Sequence, residues 1–95
     1  MWLWVTATAK LHATPATIAA RRHQWVAQGQ DRQLAARCRS TRRFVVEHSV
    51  PPKVFWLLEA EDASVATLLT DHFGDLWDIE LLRVTPQAIG QATAA

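Results

Sequence analysis

Two segments of this chain are apolar on both of their alternating faces, and that constrains its fold more than any other feature. The first is Trp2-Leu-Trp-Val-Thr-Ala-Thr8 and the second Lys53-Val-Phe-Trp-Leu-Leu-Glu-Ala60. Successive side chains of a strand point to opposite sides of the sheet. The first segment therefore sets Trp2, Trp4, Thr6 and Thr8 against Leu3, Val5 and Ala7 and reads as a central strand. The second, the strongest strand of the chain, stays apolar on both sides until Glu59. A chain of 95 residues makes one domain. With 49% apolar and 20% charged residues it is globular in composition rather than disordered.

The remaining elements follow from local signals. Thr14-Pro15 opens a helix, with Thr14 as its N-cap and Pro15 at the first position, where a missing N–H is harmless. Ile18, Trp25 and Val26 form its apolar side, Arg21 and Gln24 face water, and Gly29 stops it. Residues 31–37 add a short helical turn. Residues 41–49 form a second strand, and Val50-Pro51-Pro52 turns the chain back as an antiparallel hairpin into residues 53–60. Asp62 caps a second main helix in which Val65, Leu68, Leu69, His72 and Phe73 fall at i, i+3, i+4, i+7 and i+8, before Gly74. Residues 76–84 alternate into a last strand, with Trp77, Ile79 and Leu81 opposite Asp78, Glu80 and Leu82, and Pro86 ends it. The domain spans residues 1–86, and residues 87–95 form a C-terminal tail that frays after about one helical turn.

The order β-α-β-β-α-β is an α+β, ferredoxin-like arrangement: a four-stranded antiparallel sheet with both helices on one face. Two helices leave the other face bare. Because the first and third strands are apolar on both sides, that face is an aggregation hazard unless a second copy covers it. A homodimer is expected on this ground.

The pattern resembles the dimeric α/β-barrel superfamily of ferredoxin-like domains. Topology carries the resemblance over residues 2–86, and residue pattern over 54–86: Val54-Phe-Trp-Leu-Leu-Glu-Ala-Glu-Asp62, Leu69-Thr-Asp-His-Phe-Gly-Asp-Leu-Trp-Asp-Ile-Glu80 and Val84-Thr-Pro86. It is similar to a small uncharacterised family there, which no catalytic signature defines. The superfamily includes cofactor-independent and haem-degrading monooxygenases, isomerases and members without known activity. The haem-degrading members combine a strand Asn, a strand Trp and a helix His; Trp56 and His72 are of these types, but this chain has no Asn. No cofactor is expected.

The leading functional expectation is a small apolar or aromatic molecule bound between sheet and helices. Trp4, Trp25, Trp56 and Phe73 would wall the pocket and His72 would be its polar group, because five Trp and no Tyr supply most of the aromatic area. The alternative is a cofactor-independent oxygenase or isomerase using His72 or Glu59 as its base. The third is an anion or nucleic-acid site at Arg37-Cys-Arg-Ser-Thr-Arg-Arg43. Residues 1–53 hold nine Lys/Arg and two Asp/Glu, a balance of +7, while residues 54–95 hold one Arg and seven Asp/Glu, a balance of −6. With a net charge of only +1, no aromatic inside the run and no Gly-rich phosphate loop, nucleic acid is a poor partner, and pairing with Asp71, Asp75, Asp78 and Glu80 of a second copy is the commoner outcome.

Other readings are weaker. Cys38 lies between Arg37 and Arg39, which would lower its pKa, but one cysteine makes neither a disulfide nor a multi-cysteine zinc site. His12, His23, His48 and His72 share no metal-ligand spacing. Ala7-Thr8-Ala9 has the look of a signal-peptidase site, yet no basic residue precedes it and Trp2 to Val5 is too short an apolar run. No stretch approaches the roughly 20 apolar residues of a membrane span. A cytoplasmic location is expected.

Overall fold

The computed structural model describes residues 1–89. Four strands, β1 (Trp2–Ala9), β2 (Cys38–Val45), β3 (Lys53–Ala60) and β4 (Trp77–Val84), alternate with the helices α1 (Pro15–Ala27), α2 (Gln30–Ala36) and α3 (Thr67–Phe73). All strand pairs are antiparallel and the sheet order is β2-β3-β1-β4. The two doubly apolar segments are the two central strands, as their composition requires. The result is an α+β domain compatible with a ferredoxin-like fold. Gln87–Ile89 carry no helix or strand, and the rest of the expected tail lies outside the described residues.

The core forms on one side of the sheet. Leu3, Val5 and Leu58 are at most 1% exposed, and Trp25 of α1, Leu34 of α2 and Leu69 and Phe73 of α3 close over them. No charged or polar residue is buried among the described residues.

Local chemistry sets the helix ends. Thr14 Oγ1 accepts from the Thr17 N–H at 3.1 Å, and Pro15 follows in the first turn. Gly29 separates α1 from α2 with φ +72°, and a Cβ there would meet nothing nearer than Arg32 at 3.7 Å. Backbone conformation, not space, selects glycine. Gly29→Ala is therefore expected to lower stability by about 1 kcal/mol without altering the fold, as read from urea denaturation midpoints.

Three expectations need correction. Val26, expected on the apolar side of α1, is 50% exposed. Trp25 occupies the inward position, and the next residue lies about 100° further round the helix. Arg21, expected in water, is half-buried: its Nη1 donates to the His72 carbonyl at 2.6 Å, and both terminal nitrogens bond Asp75 at 2.6 and 3.0 Å. The second strand, expected over 41–49, runs Cys38–Val45. It is an edge strand whose only partner is β3, so β3 sets its ends: Val45 lies opposite Val54 and Cys38 opposite Ala60, with an irregularity between Cys38 and Ser40. Asp62 does act as a cap, accepting from the Ser64 N–H at 2.8 Å, but it caps a 3-10 turn (Ala63–Ala66) that leads into α3.

The Arg21 guanidinium holds the Asp75 carboxyl below the usual carboxylate range, chiefly through their hydrogen bond, and Ser64 does the same for Asp62 through its hydroxyl and then its N–H. Both folded pKa values are depressed. Their stabilising contribution is complete above the unfolded value of about 3.9 and disappears as pH falls through the folded values. Melting-temperature series from neutral pH downward are expected to show wild type above Asp75→Asn, with the gap closing below about pH 4.

Candidate functional site

The structure divides the expected site residues between the two sides of the sheet. On the helix side Trp25, Trp56, Phe73 and His72 do come together. Ring centroids lie 5.1 Å apart for Trp25–Phe73, 6.4 Å for Trp56–Phe73, 5.3 Å for Trp25–His72 and 4.7 Å for His72–Phe73. These rings pack on one another rather than around a space. The cavity beside Trp56, Phe73 and Trp77 measures about 20 Å³, room for about one water. A ring-sized ligand fits there only by displacing side chains.

His72 is committed as well. Its Nε2 lies 3.1 Å from the Arg21 carbonyl oxygen. A carbonyl only accepts, so Nε2 carries the proton and only Nδ1 stays available as a base. With the Arg21 guanidinium bonded to the His72 carbonyl in return, this pair holds α3 to α1.

Trp4 and Glu59 lie on the opposite side of the sheet. Register decides this: Trp4 pairs with Leu57 and Leu82, not with Trp56. The uncovered face reads as rows crossing β2, β3, β1 and β4. Ser40, Glu59, Trp2 and Val84 make one row, Arg42, Leu57, Trp4 and Leu82 the next, and Phe44, Phe55, Thr6 and Glu80 the third. Trp4 is the aromatic centre, 5.4 Å from Phe55 and 6.1 Å from Phe44. Phe44 is 43% and Leu82 53% exposed, while Trp2, Trp4, Phe55, Leu57 and Val84 are half-buried. At one end a hollow of about 290 Å³ is lined by Trp2, Leu57, Val84, Thr85 and Pro86. The face is thus an apolar patch with Arg42 toward one edge and Glu80 toward the other. Glu59 sits across the sheet from His72, so the two expected bases do not share a site.

The arginine run splits in the same way, since residues of an edge strand alternate. Arg37 Nη2 donates to Ser64 Oγ at 3.1 Å. Arg37, Cys38 and Arg39 line a hollow of about 410 Å³ with Glu61 and Asp62. Partial burial pushes the Cys38 thiol up and outweighs the lowering effect of Arg37, the reverse of the expected activation. Arg43 instead faces the helix side opposite Trp56. Of the residues expected to meet this run, Asp75 and Asp78 pair within the chain, with Arg21 at 2.6 Å and Lys10 at 4.0 Å.

One organising residue was missed from the sequence. Asp31 accepts from Trp25 Nε1 at 2.6 Å and from Arg22 at 3.3 and 3.5 Å. No spacing rule links a carboxylate to an indole six residues earlier across a helix break. Among the described residues, no group of three or more His, Cys, Asp or Glu is placed to hold a metal. No helix among them is long and apolar enough to cross a membrane. No protein-family model matches the chain, and no curated protein matches it.

Proposed function

We propose that this domain works as a self-associating unit, with two copies pairing sheet to sheet through their uncovered faces as a dimeric α/β barrel. The observation that carries this reading is the row Leu57, Trp4 and Leu82 at the centre of a face that no helix of the described residues covers. Apolar side chains grouped in this way gain by leaving water together, and an aromatic-centred patch is the usual composition of an interface core. Charge favours a second copy over an unrelated partner. A twofold axis parallel to the strands lays the β2 edge of one copy over the β4 edge of the other. That lays Arg42 over the partner's Leu82, one row and about 7 Å along the strand from the partner's Glu80, a span a long side chain covers, twice by symmetry. The enzyme reading, which needs His72 or Glu59 as its base, has less support: His72 Nε2 is already bonded, and Glu59 shares its row with Ser40, Trp2 and Val84.

Sedimentation velocity on the full chain is the direct test. A dimer at micromolar concentration is expected. A monomer with the far-UV circular dichroism of a folded α+β domain would overturn the reading.

A further inference from the structure

A groove opens on the helix side of the sheet, between α1, α2 and β2, away from the uncovered sheet face. It measures about 210 Å³; Arg22, Asp31, Leu34, Arg43 and Trp56 line it, and Arg42 borders it from a strand position whose side chain belongs to the opposite face of the sheet. Drug-sized sites usually span about 300–1,000 Å³, so this one suits a small molecule. Its charges do not balance. Asp31 is fixed first by the core indole of Trp25 at 2.6 Å, and Arg22 reaches it only at 3.3 and 3.5 Å. Arg43 makes no ion pair within 4.0 Å among the described residues. Among the side chains on this side of the sheet, two guanidinium groups thus face one carboxylate that only Arg22 reaches, which leaves one positive charge over. Arg43 as a residue is exposed, yet partial desolvation lowers its pKa first and Arg22 second, with Asp31 acting the other way. Trp56 supplies an apolar wall, and Arg22, Arg43 and Trp56 also line the narrow apolar cavity beyond it.

We propose that this groove binds a small aromatic monocarboxylate, with the carboxylate taken by Arg43 and Arg22 and the ring laid against Trp56 and Leu34. A planar guanidinium offers paired donors that match a carboxylate. One negative charge completes the balance. A phosphate dianion would overfill it and meet Asp31 at close range.

The test is calorimetric titration of the full chain with phenylacetate as the probe. Saturable binding is expected, weakened at least roughly tenfold when the neutral 2-phenylethanol replaces the acid, an arm that needs only wild-type protein. Arg43→Gln is expected to weaken phenylacetate binding by a similar factor, while Arg39→Gln, which lies outside the groove, leaves it unchanged. Failure to saturate at millimolar phenylacetate, equal binding of 2-phenylethanol, or unchanged binding by Arg43→Gln would each overturn the proposal. Inorganic phosphate binding as tightly as phenylacetate would overturn the ligand class. Because the groove is on the far side of the sheet from the proposed dimer face, phenylacetate binding is expected whether or not the chain pairs.

Discussion

Trp4→Glu is expected to leave the chain monomeric at concentrations where the wild type is paired, raising the dimer dissociation constant roughly thousandfold. Trp4 stands between Leu57 and Leu82 and within reach of Phe44 and Phe55, so it occupies the middle of the apolar face. Two effects add there. Truncating a central aromatic anchor typically costs about 2–4 kcal/mol of binding, and a carboxylate at the same place would be buried without a cation beside it. The nearest positive group of its own row is Arg42, separated from it by Leu57. Thr8→Glu is the control. Thr8 lies between Lys53 and Asp78, beyond the aromatic rows, so its replacement is expected to shift the constant less than tenfold. Sedimentation velocity with circular dichroism on both variants makes the comparison. Equal dimerisation of Trp4→Glu and wild type would sink the face-to-face arrangement.

Much of the fold was legible because its signals were local. Thr14 and Pro15 name a helix start by chemistry that involves only the next few residues, and residues 53–60 name a strand because both faces of that strand are apolar. β2 starts earlier than its local signals indicate because Arg39, Ser40 and Thr41 make its first half polar; that half is a strand only because β3 offers it a ladder. Long-range pairing overrode local preference there. The expected site failed at one specific step. Alternation correctly set Trp2 and Trp4 apart from Leu3 and Val5, but it does not say which face of one strand joins which face of another. Trp4 was grouped with Trp56, whereas the observed register puts it beside Leu57. A one-residue difference in pairing moves a side chain to the other side of the sheet, and neither strand carries that information by itself. On the helix side Trp25, His72 and Phe73 lie together, because they belong to helices that must lie on the same layer. Whether those rings enclose a space depends on how tightly they pack, which residue type does not encode.

Trp25→Ala is expected to remove about 3–5 kcal/mol of stability, a large share of the roughly 5–15 kcal/mol that holds a domain together. Trp25 is the only buried residue of α1 and is 1% exposed. Its ring packs on His72 and Phe73, and its N–H is the short bond to Asp31 that joins α1 to α2. Truncation therefore removes a large apolar area, opens a cavity that a small core has few residues to refill, and leaves Asp31 held only by the longer contacts to Arg22. Trp25→Phe separates these effects. It keeps most of the ring contact, loses the N–H, and is expected to cost about 2–3 kcal/mol, the worth of a hydrogen bond to a charged group together with a slightly underfilled site. Urea midpoints should then fall in the order wild type, Trp25→Phe, Trp25→Ala, with the last largely unfolded on heating to the wild-type melting temperature. Phenylacetate affinity gives an independent reading, since Trp25→Phe frees Asp31 to draw Arg22 away from the groove and is expected to weaken binding while the fold persists. A Trp25→Ala variant within about 1 kcal/mol of wild type would mean that the helices are held to the sheet by something other than this indole.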